Sequence, residues 1–283
     1  MNPLFLPALA LAFALFWAGR RAMRRCESAR SRALLAGGSF VLGIPGFLMP
    51  LYYLHAFDGA AWFYEFRSIP FSELTAALSG LFAGALSGLL GGQASEGFLA
   101  AVLAIGIAVP HLKPMISPLD ASRLEDRWKD GVCLQSSPST CGAASAVTIL
   151  RTLGIEATER EIARECFTSL SGTENWFLAR AFRRRGLCVS FRAGVGVPSD
   201  LRLPAIAGVR AGGAGHFIAL LPGPGGRIVA ADPLSGRSEH SRAVLARAFD
   251  FTGFFMEVGP REGLQEKRGG IRDGWREKSM DSP

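Results

Sequence analysis

Lysine is scarce in this chain, and so are the motifs that would supply a nucleotide, a metal or a cross-linked framework. Of 31 basic residues only four are lysine, at positions 113, 129, 267 and 278. No Gly-Lys pair occurs anywhere, so there is no Walker A loop and no ATPase of the chain's own. The five cysteines, at 26, 133, 141, 166 and 188, are odd in number and form no CxxC pair, which speaks against a zinc ribbon and a disulfide framework. No cofactor, metal or nucleotide is called for.

Long stretches of the first 115 residues lack charge, whereas from Ser117 onward charged and apolar residues interleave as in a soluble domain. Four apolar runs, at about 3–19, 34–54, 74–92 and 97–115, predict three or four spanning helices within a transmembrane region 1–116. The first run has its positive charge after it rather than before it, the order of a retained anchor and not of a cleaved signal. The second contains Pro45 and Pro50, which neighbouring helices in a bilayer tolerate. Trp62, Phe63, Tyr64 and Phe66 beside Glu65 and Arg67 suit either the headgroup zone or an ordinary loop. Gly80, Gly84, Gly88 and Gly92 recur every four residues, which predicts one helical face on which another helix packs closely and accounts for the "LLGG" at 89–92.

The formal charge of +7 is largely arginine, and six arginines fall between Arg20 and Arg32. Basic residues beside an apolar run mark its cytoplasmic end, so the charge reports topology and points to no nucleic-acid partner. A cytoplasmic Arg20–Arg32 loop puts the N-terminus outside. Two or four spans then put the C-terminal domain outside as well, and only an odd count leaves it in the cytoplasm.

The soluble region 117–259 centres on "CLQSSPSTCGAASAVTIL". After Cys141, residues Ala143, Ala146, Val147, Leu150 and Leu153 form one helical face, which Gly154 ends. Ser139 or Thr140 is placed to cap the start. Cys141 then lies in the first turn, where the helix dipole favours an anion. A helix N-terminus together with an imidazolium is the setting that activates thiols.

Of the four histidines, His55 and His111 belong to the membrane region and His240 to a polar stretch read as solvated loop. His216 opens "HFIALL", a buried-strand pattern, and "RIVAAD" reads as the returning strand. A five-residue loop from Pro222 to Gly226 would set Leu221 against Arg227 and His216 directly opposite Asp232. A nucleophile, a base and an orienting group are thereby available, and the Gln135 amide with the Cys141 backbone N–H supplies donors for an oxyanion. Cys133, Cys166 and Cys188 read as core residues, one pair of which could be oxidised in an exported domain. "RAFRRRG" at 180–186 reads as a solvated helix face or a basic patch, and the charged tail 260–283 as disordered.

Gln135, the Cys141-Gly142 pair six residues on, His216-Phe217, Asp232-Pro233 and Gly236 together resemble the C39 family of papain-like cysteine peptidases, over about 132–258. That family includes the peptidase domains of bacteriocin-exporting transporters, which remove leader peptides after a double glycine. The resemblance implies an α+β domain, a helix packed on an antiparallel sheet, behind the α-helical transmembrane region. It also implies Cys141 as nucleophile, His216 as base and acid, Asp232 as its orienter and Gln135 in the oxyanion hole. Thr140 stands where the family often has aspartate. The expected protein is thus an integral membrane peptidase of a bacterial plasma membrane, acting on a peptide or protein and working beside a separate transporter where one exists. A non-hydrolytic peptide-docking module and a thiol transpeptidase or acyltransferase are the alternatives.

Overall fold

In the computed structural model, residues 2–57 and 59–260 are described. The tail read as disordered lies outside them from residue 261. The chain divides into two compact units, one ending at Leu119 and the other beginning at Asp120.

The first unit is helical: α1 (Phe5–Arg25), α2 (Ala29–Tyr52), α3 (Ala61–Ser68), a 3-10 turn (Ser72–Leu78) running into α4 (Ser79–Leu90), and α5 (Gln93–Ile116). Four helical segments, Phe5–Arg25, Ala29–Tyr52, Ser72–Leu90 and Gln93–Ile116, are long and apolar enough to cross a membrane. The expected Arg20–Arg32 loop shrinks to the connection 26–28, because both flanking helices extend into the arginines. Pro45 and Pro50 lie inside α2 without ending it.

The glycine face is real and is used against α1. A Cβ at Gly80 would stand 2.2 Å from the Ala12 carbonyl oxygen, one at Gly84 1.8 Å from that of Phe16, and one at Gly88 2.8 Å from that of Arg20. Only hydrogen fits there. The partners keep a constant offset of 68 (80 − 12, 84 − 16, 88 − 20), so α1 and α4 run in the same direction. The repeat ends at Gly88. Gly92 lies past the end of α4 and, with Gly91, makes the positive-φ link to α5, so it has no place on the packing face. The aromatic segment forms α3 and buries Phe63, Tyr64 and Arg67, whose guanidinium lies 3.9 Å from the equally buried Glu73.

The second unit opens with a hairpin of β1 (Arg127–Lys129) and β2 (Val132–Leu134), turned by Asp130-Gly131 with both φ positive, as such two-residue turns require. Helices α6 (Cys141–Thr152), α7 (Glu159–Glu165) and α8 (Asn175–Arg184) follow. Then come β3 (Cys188–Ala193), β4 (Ala205–Ala211), β5 (Ala214–Pro222), β6 (Ile228–Asp232), β7 (Gly236–His240), α9 (Arg242–Ala248) and β8 (Asp250–Gly259). Among the described residues, β3 to β8 form one antiparallel sheet in the order β3-β8-β4-β5-β6-β7. Ile218, Leu220, Ile228, Phe255 and Leu245 belong to a core cluster between sheet strands and α9. Each such side chain contributes about 1.5–3 kcal/mol by leaving water. The helix-on-antiparallel-sheet α+β architecture is the one expected.

Two expectations for this unit need correction. The stretch around His240 is the edge strand β7, with His240 Nε2 2.8 Å from Ser238 Oγ, and not a loop. The arginines at 180–185 form no open basic patch, and Arg184 alone of the four is exposed. Arg184 and Arg185 pair with Glu165, Arg185 also with Glu161, and Arg180 is buried over the Phe177 ring.

Candidate active site

Helix α6 begins at Cys141 itself, and residues 141–150 are all buried. It can be buried on every side because Ala143, Ala144 and Ala146 are small and its hydroxyls find partners: Ser145 Oγ donates to the Phe217 carbonyl, and Thr148 Oγ1 accepts the Cys133 N–H. Gly142 permits the tightest approach, since a Cβ there would stand 3.1 Å from Leu178 and 3.2 Å from Phe217. That is a physical reason for glycine directly after the cysteine. Gly154, at φ 75°, closes the helix as expected.

The capping expectation fails in an informative way. Thr140 occupies the N-cap position but makes no capping bond. Its hydroxyl donates to the Ser137 carbonyl at 2.9 Å and accepts the Ser137 N–H at 3.1 Å. The first-turn amides of α6 are therefore left uncapped by that side chain, at the positive end of the helix dipole where Cys141 sits.

His216 enters from β5 and Asp232 from β6. His216 Nε2 and Asp232 Oδ1 are 2.8 Å apart, and the Cys141 side chain acts on the same imidazole to favour its charged form. With Nε2 engaged by the carboxylate, Nδ1 is the nitrogen left for sulfur. The two residues are not directly opposite each other. Leu221 pairs with Val229 and Pro222 with Ile228, so the ladder places Asp232 two residues from the position facing His216. The loop still has five residues but spans 223–227, because Gly225 and Gly226 take positive φ and the bend centres on them. Displacing a loop by one residue moves the register by two, which keeps both side chains on one face and makes them diagonal neighbours within reach of each other.

The sequence reading missed what holds Asp232. The Leu234 N–H donates to Oδ1 at 2.9 Å and the Ser235 hydroxyl to Oδ2 at 2.7 Å. An aspartate followed by proline and, three residues on, serine is the signature of such a self-bonded turn, so the signal was present in "DPLS". Burial works against the Asp232 charge, but the His216 and loop hydrogen bonds prevail and lower its pKa below the ordinary carboxylate value. Burial would likewise lower His216. The hydrogen bonds to Asp232 and Cys141, with the accompanying charges, outweigh it and raise the imidazole from 6.5 to about 9.

Gln135 follows β2. Its backbone N–H donates to the Pro233 carbonyl at 3.0 Å, tying this segment to the residue after Asp232. Its side-chain amide donates to the Ser137 carbonyl at 2.9 Å, the oxygen that also receives Thr140. The Gln135 amide and the residue preceding Cys141 thus converge on one acceptor. All five cysteines are free thiols. Burial, with the Glu159 and Asp126 charges, pushes Cys133 up to about 12, and burial raises Cys166 too, so neither is a ready nucleophile.

The peptidase C39 family description matches residues 129–263. Among curated proteins, an uncharacterized protein of Methanothermobacter marburgensis is 37% identical over 115 residues, covering 41% of this chain and 80% of that one. An uncharacterized protein of Methanothermobacter thermautotrophicus is 33% identical over 119 residues, covering 42% and 82%. Among solved structures, a double glycine motif protease from an AMS/PCAT transporter, in complex with the leader peptide, aligns with TM-score 0.40 and 22% identity, covering 46% of this chain and 90% of that one. The peptidase domain of Streptococcus ComA, a bifunctional ABC transporter involved in a quorum-sensing pathway, aligns with TM-score 0.40 and 16% identity over 46% and 98%. Through the unit that carries Cys141, His216 and Asp232, this chain belongs to the peptidase C39 family.

Proposed function

We propose that the protein is a membrane-anchored cysteine peptidase that hydrolyses a peptide bond in a peptide or protein, with a double-glycine leader as the substrate to try first. The observation that supports the reading is that Asp232, 16 residues after His216 (232 − 216), bonds its imidazole, and that Cys141, 75 residues before it (216 − 141), acts on the same ring. Cys141 attacks as the thiolate beside a protonated His216. A C–S bond forms as the carbonyl electron pair moves onto oxygen, which the Cys141 N–H and the Gln135 amide stabilise. His216 gives its proton to the leaving amine, the C–N bond breaks, and water, deprotonated by His216, releases the acid and restores the thiol pair.

Incubating the full-length protein with peptides that carry Gly-Gly or Ala-Ala before the scissile bond, and weighing the products, tests this directly. Free acid from the Gly-Gly peptide supports the reading. Acyl transfer to an added amine, or no cleavage of any peptide, overturns it.

The His216 shift sets the expected pH dependence. An imidazole raised from 6.5 to about 9 keeps its proton throughout the neutral range and loses it as pH rises through about 9. Hydrolysis therefore falls on that alkaline limb. Asp232→Asn, which removes the charge holding the proton, draws the limb down toward 6.5 in a kcat/KM profile. The sign for stability is the same. The His216 contribution is complete below pH 6.5 and is lost as pH climbs through about 9, while that of Asp232, whose pKa is lowered, is lost on acidification.

For topology, the reading is that all four long apolar helices cross, which returns Cys141 to the side of the N-terminus, outside. A membrane-impermeant thiol reagent should then label Cys141 in intact cells. Labelling only after lysis reverses the assignment.

A further inference from the structure

Glu159 is a carboxylate with no exposed surface. Acidic side chains are almost never buried to that extent without partners. It is the first residue of α7, whose start is capped by Thr158 Oγ1 accepting the Glu161 N–H, so backbone geometry fixes where its side chain begins. Both carboxylate oxygens turn to one residue. Oε1 accepts the Ser136 N–H at 2.9 Å and Oε2 meets the Ser136 hydroxyl. That hydroxyl also contacts the Glu125 carbonyl and accepts the Glu125 N–H, while Asp126 Oδ1 accepts the Glu159 N–H at 2.7 Å. The segment entering the hairpin, the segment leaving it and the start of α7 are thereby tied together around Ser136 and Glu159.

Ser136 lies between Gln135 and Ser137, whose carbonyl takes the Gln135 amide. Fixing Ser136 holds the residues on either side of it, and with them the Gln135 amide and the carbonyl it bonds. An apolar pair of similar volume would pack here with no desolvation cost, so stability alone gives no reason for a buried charge behind the Gln135 loop. We infer that Glu159 is a positioning residue for the oxyanion site, holding Gln135 through Ser136; this rests on the peptidase reading given above.

Two probes of the full-length protein separate this role from a general one. Iodoacetamide, followed by the mass of the peptide that carries residue 141, reads the sulfur there and not the oxyanion site. N-acetylated glycyl-glycinal reads the oxyanion site as well: the sulfur adds to the aldehyde carbon, a C–S bond forms, the C=O pair moves onto oxygen, and no group leaves. Glu159→Gln keeps the shape but cannot accept both Ser136 bonds. Misplacement of an amide by an ångström costs up to about 100-fold, so the aldehyde should bind about 10- to 100-fold more weakly. The iodoacetamide rate at Cys141 should stay within about twofold, since that reaction places no charge on a carbonyl oxygen. In the background of Gln135→Ala, the same substitution should add nothing, because its effect passes through that amide.

Equal losses with both probes, no loss with either, or additivity with Gln135→Ala overturns the inference. Should Glu159→Gln fail to fold, Ser136→Ala decides: it removes the hydroxyl contact, keeps the N–H, and must show the same aldehyde-selective loss. Wild-type protein that neither binds the aldehyde nor is labelled at Cys141 sinks the peptidase reading itself, which is a different outcome from a wild type that does both beside an unaffected variant.

Discussion

Cys141→Ala removes peptide hydrolysis by a factor on the order of 10⁴ or more and leaves the protein folded. In the proposed mechanism the loss is that large because His216, Asp232 and Gln135 serve one sulfur; with it gone, the remaining groups can only hold a substrate and polarise it. The fold survives because residue 141 is the first of its helix, where alanine is a good helix former, and because the cavity left by one sulfur atom is small, so the cost is about 1 kcal/mol. Hydrolysis is read from product mass and folding from the thermal transition of the same sample. If Cys141→Ala retains cleavage, the nucleophile lies elsewhere. If neither protein cleaves but both capture peptide equally, the non-hydrolytic docking alternative takes over.

Gly84→Ala should unfold the helical unit under conditions where the parent is intact. The added methyl would lie 1.8 Å from the Phe16 carbonyl oxygen and 2.6 Å from its carbon, both backbone atoms that cannot rotate away. Helices α1 and α4 must therefore part along the whole glycine face, giving up the close contacts at Gly80 and Gly88 as well. Overpacking a fitted interface costs about 1–3 kcal/mol, and here a backbone is displaced, so the upper end applies. Gly106→Ala is the control: nothing lies within 4 Å of a Cβ there, and alanine suits a helix interior better than glycine. Denaturation of both variants in detergent should show a clear loss for the first and none for the second. Equal stabilities would mean that α1 and α4 do not pack on that face.

The elements that could be read from the chain alone were those encoded locally. The helix after Cys141, its end at Gly154 and the two strands carrying His216 and Asp232 follow from periodicity and glycine placement. The ladder register was read two residues out because a five-residue loop rich in glycine can bend at more than one place, and only the positive φ of Gly225 and Gly226 chooses. The faces survived because the error was even. Thr140 misled for the opposite reason: a hydroxyl before a helix can cap it or bond the preceding turn, and the Ser137 carbonyl won. Glu159 gave no signal, since an acidic residue in a first turn is ordinary and only the tertiary fold buries it against Ser136. Gly92 looked like one more step of a repeat that the helix had already left.

The constant offset between α1 and α4 has a consequence for assembly. A ribosome makes Ala12 68 residues before Gly80, the glycine that fits against it. For that interval the nascent first helix exposes a carbonyl ridge whose mate does not yet exist. Its final seat is therefore settled late, once the third long apolar segment has been made, and a chain stalled between the two would carry a first helix with an unmatched face.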